Sequence, residues 1–122
     1  LLHYFHGSGG GGPVTRGVIQ TNRQAVFLPD ANICVTGHTH DQWIVPIERQ
    51  RIKTTGFLYK DTCYHIKIAG YKEEYEDGYG GWHIERGAAP KPKGACWLKI
   101  TYRKSDNPAT RGIEVTPIIA DK

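Results

Sequence analysis

Apolar and polar positions alternate between two regimes along this chain. Leu1 to His6 is an apolar-rich run that predicts a short strand. Gly7-Ser8-Gly9-Gly10-Gly11-Gly12 has no side chains to pack and predicts a loop. Pro13-Val14-Thr15-Arg16 then predicts a helix start, with proline near the first turn. Val18, Ile19, Ala25, Val26 and Phe27 form a partial apolar stripe at helical spacing, with Gln20, Asn22, Arg23 and Gln24 mostly outward. Leu28-Pro29-Asp30 ends that helix, because the residue before proline is pushed out of the α region. Ile33 to Thr36 predicts a short buried strand. The first 41 residues thus predict a β–loop–α–β unit of about the length of a crossover connection.

Beyond Asp41 the period shortens to two. Residues 42–52 predict a strand with Pro46 at an edge, and Thr54-Thr55-Gly56 a turn. From Cys63 to Ile68, Tyr64, Ile66 and Ile68 fall on one face and Cys63, His65 and Lys67 on the other. Residues 96–102 alternate as well, Ser105-Asp106-Asn107-Pro108 is a turn signal, and residues 112–119 form the returning strand of a hairpin. Residues 71–94 are the least regular: 72–76 predict one or two helical turns, and 78–82 and 89–93 predict loops. The expected fold is α/β (α+β), one β–loop–α–β unit (1–41) followed by mostly antiparallel strands (42–122), in one domain of 122 residues.

Composition narrows the class. Charged residues make up 23% and no apolar run approaches the ~20 residues of a membrane span, so a soluble cytoplasmic protein is expected. The net charge of +4 is spread along the chain, which permits nucleic acid as a partner without arguing for it. Cys34, Cys63 and Cys96 are odd in number and form no C-x-x-C pair, so a reducing compartment is expected, with Cys34 and Cys96 as buried thiols. The absence of methionine and the start in mid-strand lead us to expect a piece of a longer protein.

The candidate chemistry lies in Gly37-His38-Thr39-His40-Asp41, where a strand ends in a glycine turn carrying two histidines. Imidazole is a borderline-soft ligand suited to Zn, Mn, Fe, Ni or Cu. His6 ends the neighbouring predicted strand, so His6, His38 and His40 are expected to converge at the C-terminal ends of two adjacent strands as a metal site. His65 and His83 lack supporting context. The glycine run lacks the terminal G-K-[ST] of a phosphate loop, although it can shape a site rim, with Arg16 placed to assist in holding an anion.

His6-Gly7, the glycine-rich loop, Pro13-Val14-Thr15-Arg16-Gly17 and Gly37-His38-Thr39-His40 together resemble the calcineurin-like metallophosphoesterases, most closely their bacterial and phage-type members. The resemblance runs from His3 to about Asp41 and fades beyond Gly56. It implies a partial β-sandwich of that family and a parent enzyme that hydrolyses phosphate mono- or diesters with two divalent metals (Mn, Zn, Fe or Ni). By resemblance, His40 binds the first metal and His38 and His6 the second, with Asp41 outside the ligand set, where it can orient an imidazole. The family's D-x-H, G-D-x-x-D and G-N-H-[DE] motifs are absent. The chain therefore corresponds to the C-terminal half of such an enzyme, with little or no expected activity of its own.

Two other functions compete with that expectation. One is a self-associating β-rich interaction module, with Tyr75, Tyr79, Trp82 and Trp97 as contact surface. The other is a single-metal, three-histidine hydrolase. An unpaired sheet edge also leads us to expect a homo-oligomer.

Overall fold

The computed structural model describes residues 1–10, 12–71, 87–106 and 112–121. Its elements are β1 (Leu2–Phe5), α1 (Val18–Phe27), β2 (Ile33–Thr36), β3 (Trp43–Ile52), β4 (Leu58–Lys67), β5 (Gly94–Arg103) and β6 (Gly112–Asp121). Four strands form a mixed sheet in the order β1-β2-β4-β3, and β5 and β6 pair as a separate antiparallel hairpin. The chain is mainly β, with one α–β crossover, as the change in period from helical to alternating predicts.

β1 and β2 run parallel, with Leu2 opposite Ile33 and Phe5 opposite Thr36, and α1 is the crossover between them. β4 lies parallel to β2 on its other side, and β3 folds back antiparallel to β4 as an edge strand. The edge position is what accommodates Pro46, which has no N–H to donate to a second neighbour.

α1 begins later than expected. Residues 13–17 form turns, and the helix starts only at Val18. Arg16 (φ 46°) and Gly17 (φ 82°) are both left-handed, a conformation from which no right-handed helix can continue. The buried stripe is also rotated from the expected one. Thr21 is buried, Val18, Ala25 and Leu28 are half-buried, and Val26 and Phe27 are 75% and 76% exposed. Thr21 fits the interior because its hydroxyl donates to the Gly17 carbonyl at 3.2 Å.

The two faces of the sheet have different company. Cys34, Cys63 and His65 face α1 and its following loop, where Leu28 and Ala31 pack against the cysteines. Arg49 ties edge strand to loop: its Nη1 donates to the Pro29 and Ala31 carbonyls at 2.8 Å each. Its Nε and Nη2 grip both oxygens of Asp61 at 2.9 and 2.8 Å. Burial alone would raise the Asp61 pKa, but the Arg49 and Arg51 guanidiniums hold it below the usual carboxylate range. On the opposite face, Leu2, Ile33 and Tyr64 border an open cleft of about 810 Å³, lined on its other side by Ile100, Ile113 and Val115 of the hairpin. Gln42 Nε2 to the Ala95 carbonyl (3.2 Å) and Gly94 N to the Gly70 carbonyl (3.3 Å) fasten the start of the hairpin to the sheet.

Cys34 is buried as expected, whereas Cys96 is only half-buried on the two-stranded hairpin, which offers less cover than the sheet. Trp97 is 67% exposed. The expected helical turns at 72–76, with Tyr75, Tyr79, Trp82 and His83, lie outside the described residues.

Candidate metal centre at the histidine turn

The C-terminal ends of β1 and β2 are locked side by side. Gly37 N donates to the His6 carbonyl at 3.0 Å, extending the parallel pairing one step past both strands. Gly7 (φ 96°) packs so closely that a Cβ there would lie 3.3 Å from the Gly37 carbonyl oxygen. The left-handed φ favours glycine here, and a Cβ would add a tight contact. The chain leaves each strand immediately beside a histidine, and His6 Nε2 and His38 Nδ1 come to 3.0 Å, with their rings edge to face. His38 (φ 70°) and His40 (φ 56°) are both left-handed, so the turn carries backbone strain at the residues whose side chains it presents.

A 3.0 Å nitrogen–nitrogen separation suits a shared N–H···N proton. It also suits two ligands of one cation: bonds near ~2.1 Å place neighbouring donors about 3.0–3.4 Å apart. His40 sits on the same turn but packs elsewhere. Its ring lies over Gly70, where a Cβ would meet Nδ1 at 3.2 Å.

The floor of the turn is polar. Lys67 is buried, donates from Nζ to the Gly37 carbonyl at 3.3 Å and lies 5.9 Å from the centroid of the Trp43 ring. Burial pulls its pKa below the ordinary lysine value, against the opposing pull of Asp41. Asp41 is 4% exposed; Oδ1 accepts from Lys91 Nζ at 2.7 Å, while Oδ2 is buried with no partner among the described residues. Thr39 Oγ1 is likewise buried without a partner. Arg16 is exposed, and its part in the structure is its carbonyl, which accepts from Trp43 Nε1 at 3.0 Å.

The expected trio is thus gathered in part. His6 and His38 meet, His40 is turned toward Gly70, and Asp41 is engaged by a lysine. Two imidazoles fit one cation. They do not fit a pair of cations, because among the described residues no carboxylate joins them in a compact donor group.

Compact clustering occurs one layer below. Cys34, Cys63 and His65 place one donor atom each within 4.8 Å of one another, and all three are buried. Cys63 Sγ is 3.5 Å from His65 Nε2. Burial, with the Cys63 thiol beside it, pushes the Cys34 pKa up to about 11. Burial also raises the Cys63 thiol, against the pull of Arg49, and lowers His65, with Arg49 adding to the effect. The sequence signal for this group is the alternation of 63–68, which puts Cys63 and His65 on one face; nothing local points to Cys34. No family model, curated protein or solved structure matches the chain.

Proposed function

We propose that this chain is the C-terminal half of a calcineurin-like metallophosphoesterase, contributing one histidine wall of a metal site that acts on phosphate esters. The contact between His6 and His38 carries this reading. It arises at the C-terminal ends of adjacent parallel strands joined by an α-helical crossover, where open α/β sheets gather ligands. In the parent, the histidines would hold a divalent cation, which polarises a phosphate oxygen and activates water. The chain's own part is to aim the imidazoles, through the Gly7–Gly37 lock, and to place the buried Lys67 cation beneath the turn. Without the bridging carboxylate, the chain alone is expected to turn over phosphate esters little or not at all.

Manganese binding tests the site. One Mn(II) per chain, counted by electron paramagnetic resonance and lost in the His38→Ala/His40→Ala double variant, is the expected result. Manganese uptake unchanged by that substitution would remove the basis of the proposal and favour the self-associating module.

A further inference from the structure

We infer that Cys34, Cys63 and His65 form a zinc site inside the sheet, chemically and spatially separate from the histidine turn. The geometry is laid down by the strands. Cys63 and His65 are two residues apart on β4, so both point to the same face, and His65 is the register partner of Cys34 on β2. All three donors therefore converge under Leu28 and Ala31 without any loop having to bend toward them. Zinc–sulfur bonds of about 2.3 Å and zinc–nitrogen bonds of about 2.0–2.1 Å give tetrahedral edges of roughly 3.5–3.8 Å. The 3.5 Å between Cys63 Sγ and His65 Nε2 is such an edge.

Two further observations point to a ligand. Three of the four largest fully buried side chains are these two thiols and this imidazole, the fourth being Ile66. A sheet core is ordinarily filled with aliphatic side chains; here its deepest layer is a soft donor set. A buried polar atom beside the group is also unfinished: His3 Nδ1, on the next strand over, has no partner among the described residues, and His3 is the register partner of Cys34. His3 lies outside the 4.8 Å group but on the same face, which makes it the candidate fourth ligand of a tetrahedral site.

Charge selects a divalent cation, and among these a thiolate-rich tetrahedral donor set suits zinc. Two thiolates and a neutral imidazole carry −2, which Zn(II) cancels, so the loaded site buries no net charge. Cu(I) on the same two thiolates would leave a net negative charge in the core. Loading is an acid–base exchange without redox change: each thiol gives its proton to solvent, each sulfur forms one bond to zinc, and the imidazole donates a nitrogen lone pair. The bound ion would pin β2 to β4 three residues before Gly37, steadying the strands that carry the histidine turn.

The test uses the whole chain, unfolded with reductant and chelator and then refolded with one equivalent of Co(II). Tetrahedral cobalt with sulfur-to-cobalt charge-transfer absorption, displaced by zinc, is expected. The band should persist in Cys96→Ser and in His38→Ala/His40→Ala, and disappear in Cys34→Ser and Cys63→Ser. Absence of the band in the unmutated chain, its survival in both serine variants, or its loss with Cys96 would overturn the assignment. Should a serine variant fail to fold, alkylation of the unmutated chain decides, in enough denaturant to label all three thiols when zinc is chelated. Zinc should then spare Cys34 and Cys63 but not Cys96; equal labelling with and without zinc, or a Cys34–Cys63 disulfide, refutes the site. Loss of manganese binding at the turn would leave this result untouched, so the two proposals fail separately.

Discussion

At the scale of single residues, the histidine turn depends on atoms that are missing rather than present. Gly7 has both a left-handed φ and a Gly37 carbonyl oxygen only 3.3 Å from where a Cβ would go. Gly7→Ala is expected to cost about 1–2 kcal/mol in urea denaturation and to weaken manganese binding, since it separates His6 from His38. Unchanged binding would show that the pair is not set by this packing. Arg49 is the other residue on which much converges: one guanidinium satisfies Asp61 and two loop carbonyls. Arg49→Ala is expected to destabilise by about 2–4 kcal/mol, because Asp61 loses its two-pronged partner and keeps only Arg51 at 3.4 Å, while the Ala31 carbonyl loses its donor. Arg49→Lys should recover little, as an ammonium cannot span both carboxylate oxygens and the loop. The pH dependence has a definite sign. With the folded pKa of Asp61 below its unfolded value, the ion pair contributes fully above about pH 4. That contribution is lost as pH falls through the folded pKa, so the gap between the denaturation midpoints of the unmutated chain and Arg49→Ala should narrow in acid, leaving the part due to the loop carbonyls.

At the scale of elements, α1 shows how a weak stripe is settled by the surface beneath it. Val26 and Phe27 supply the greater hydrophobicity, yet Val18, Thr21, Ala25 and Leu28 face the sheet. The two left-handed residues before Val18 fix where the helix starts and hence its rotation. We expect Val26→Lys with Phe27→Lys to change stability by no more than ~0.5 kcal/mol, and Thr21→Lys to cost more than ~2 kcal/mol. The reverse ranking in thermal or urea melts would mean that α1 packs by its other face. The strands were easier to read. The alternation of 63–68 and the edge proline of 42–52 each correspond to a feature of the sheet, because period two and a missing N–H act locally.

At the scale of the whole molecule, many large apolar side chains of the described residues are exposed. Leu2, Ile33 and Tyr64 look across an open cleft of about 810 Å³ to Ile100 and Ile113. Exposed Ile113, Ile118 and Ile119 add to this on the hairpin. Surface of this kind invites association. We expect the chain to run as a dimer or larger in light scattering at micromolar concentration, and Ile100→Glu/Ile113→Glu to shift it toward monomer. A monomer at every concentration would contradict that. Among the described residues no helix is long and apolar enough to cross a membrane.

The sequence by itself determined what acts over a few residues: the order of elements, the face each strand residue takes, the glycine turn and its histidines. It also placed His6 beside His38, because a β–loop–α–β unit of this length has one ordinary way to close. The tertiary structure alone decided which strand became the second neighbour of β2. Placing β4 there, with β3 at the edge, set Cys34 against Cys63 and His65, 29 and 31 positions further along the chain. Strand alternation fixes a side chain's face but not its company, and only pairing register brings distant donors into one group. For the same reason His40, so prominent on the turn, lies against Gly70: its direction is set by two left-handed residues and by a neighbouring segment that no local pattern reveals.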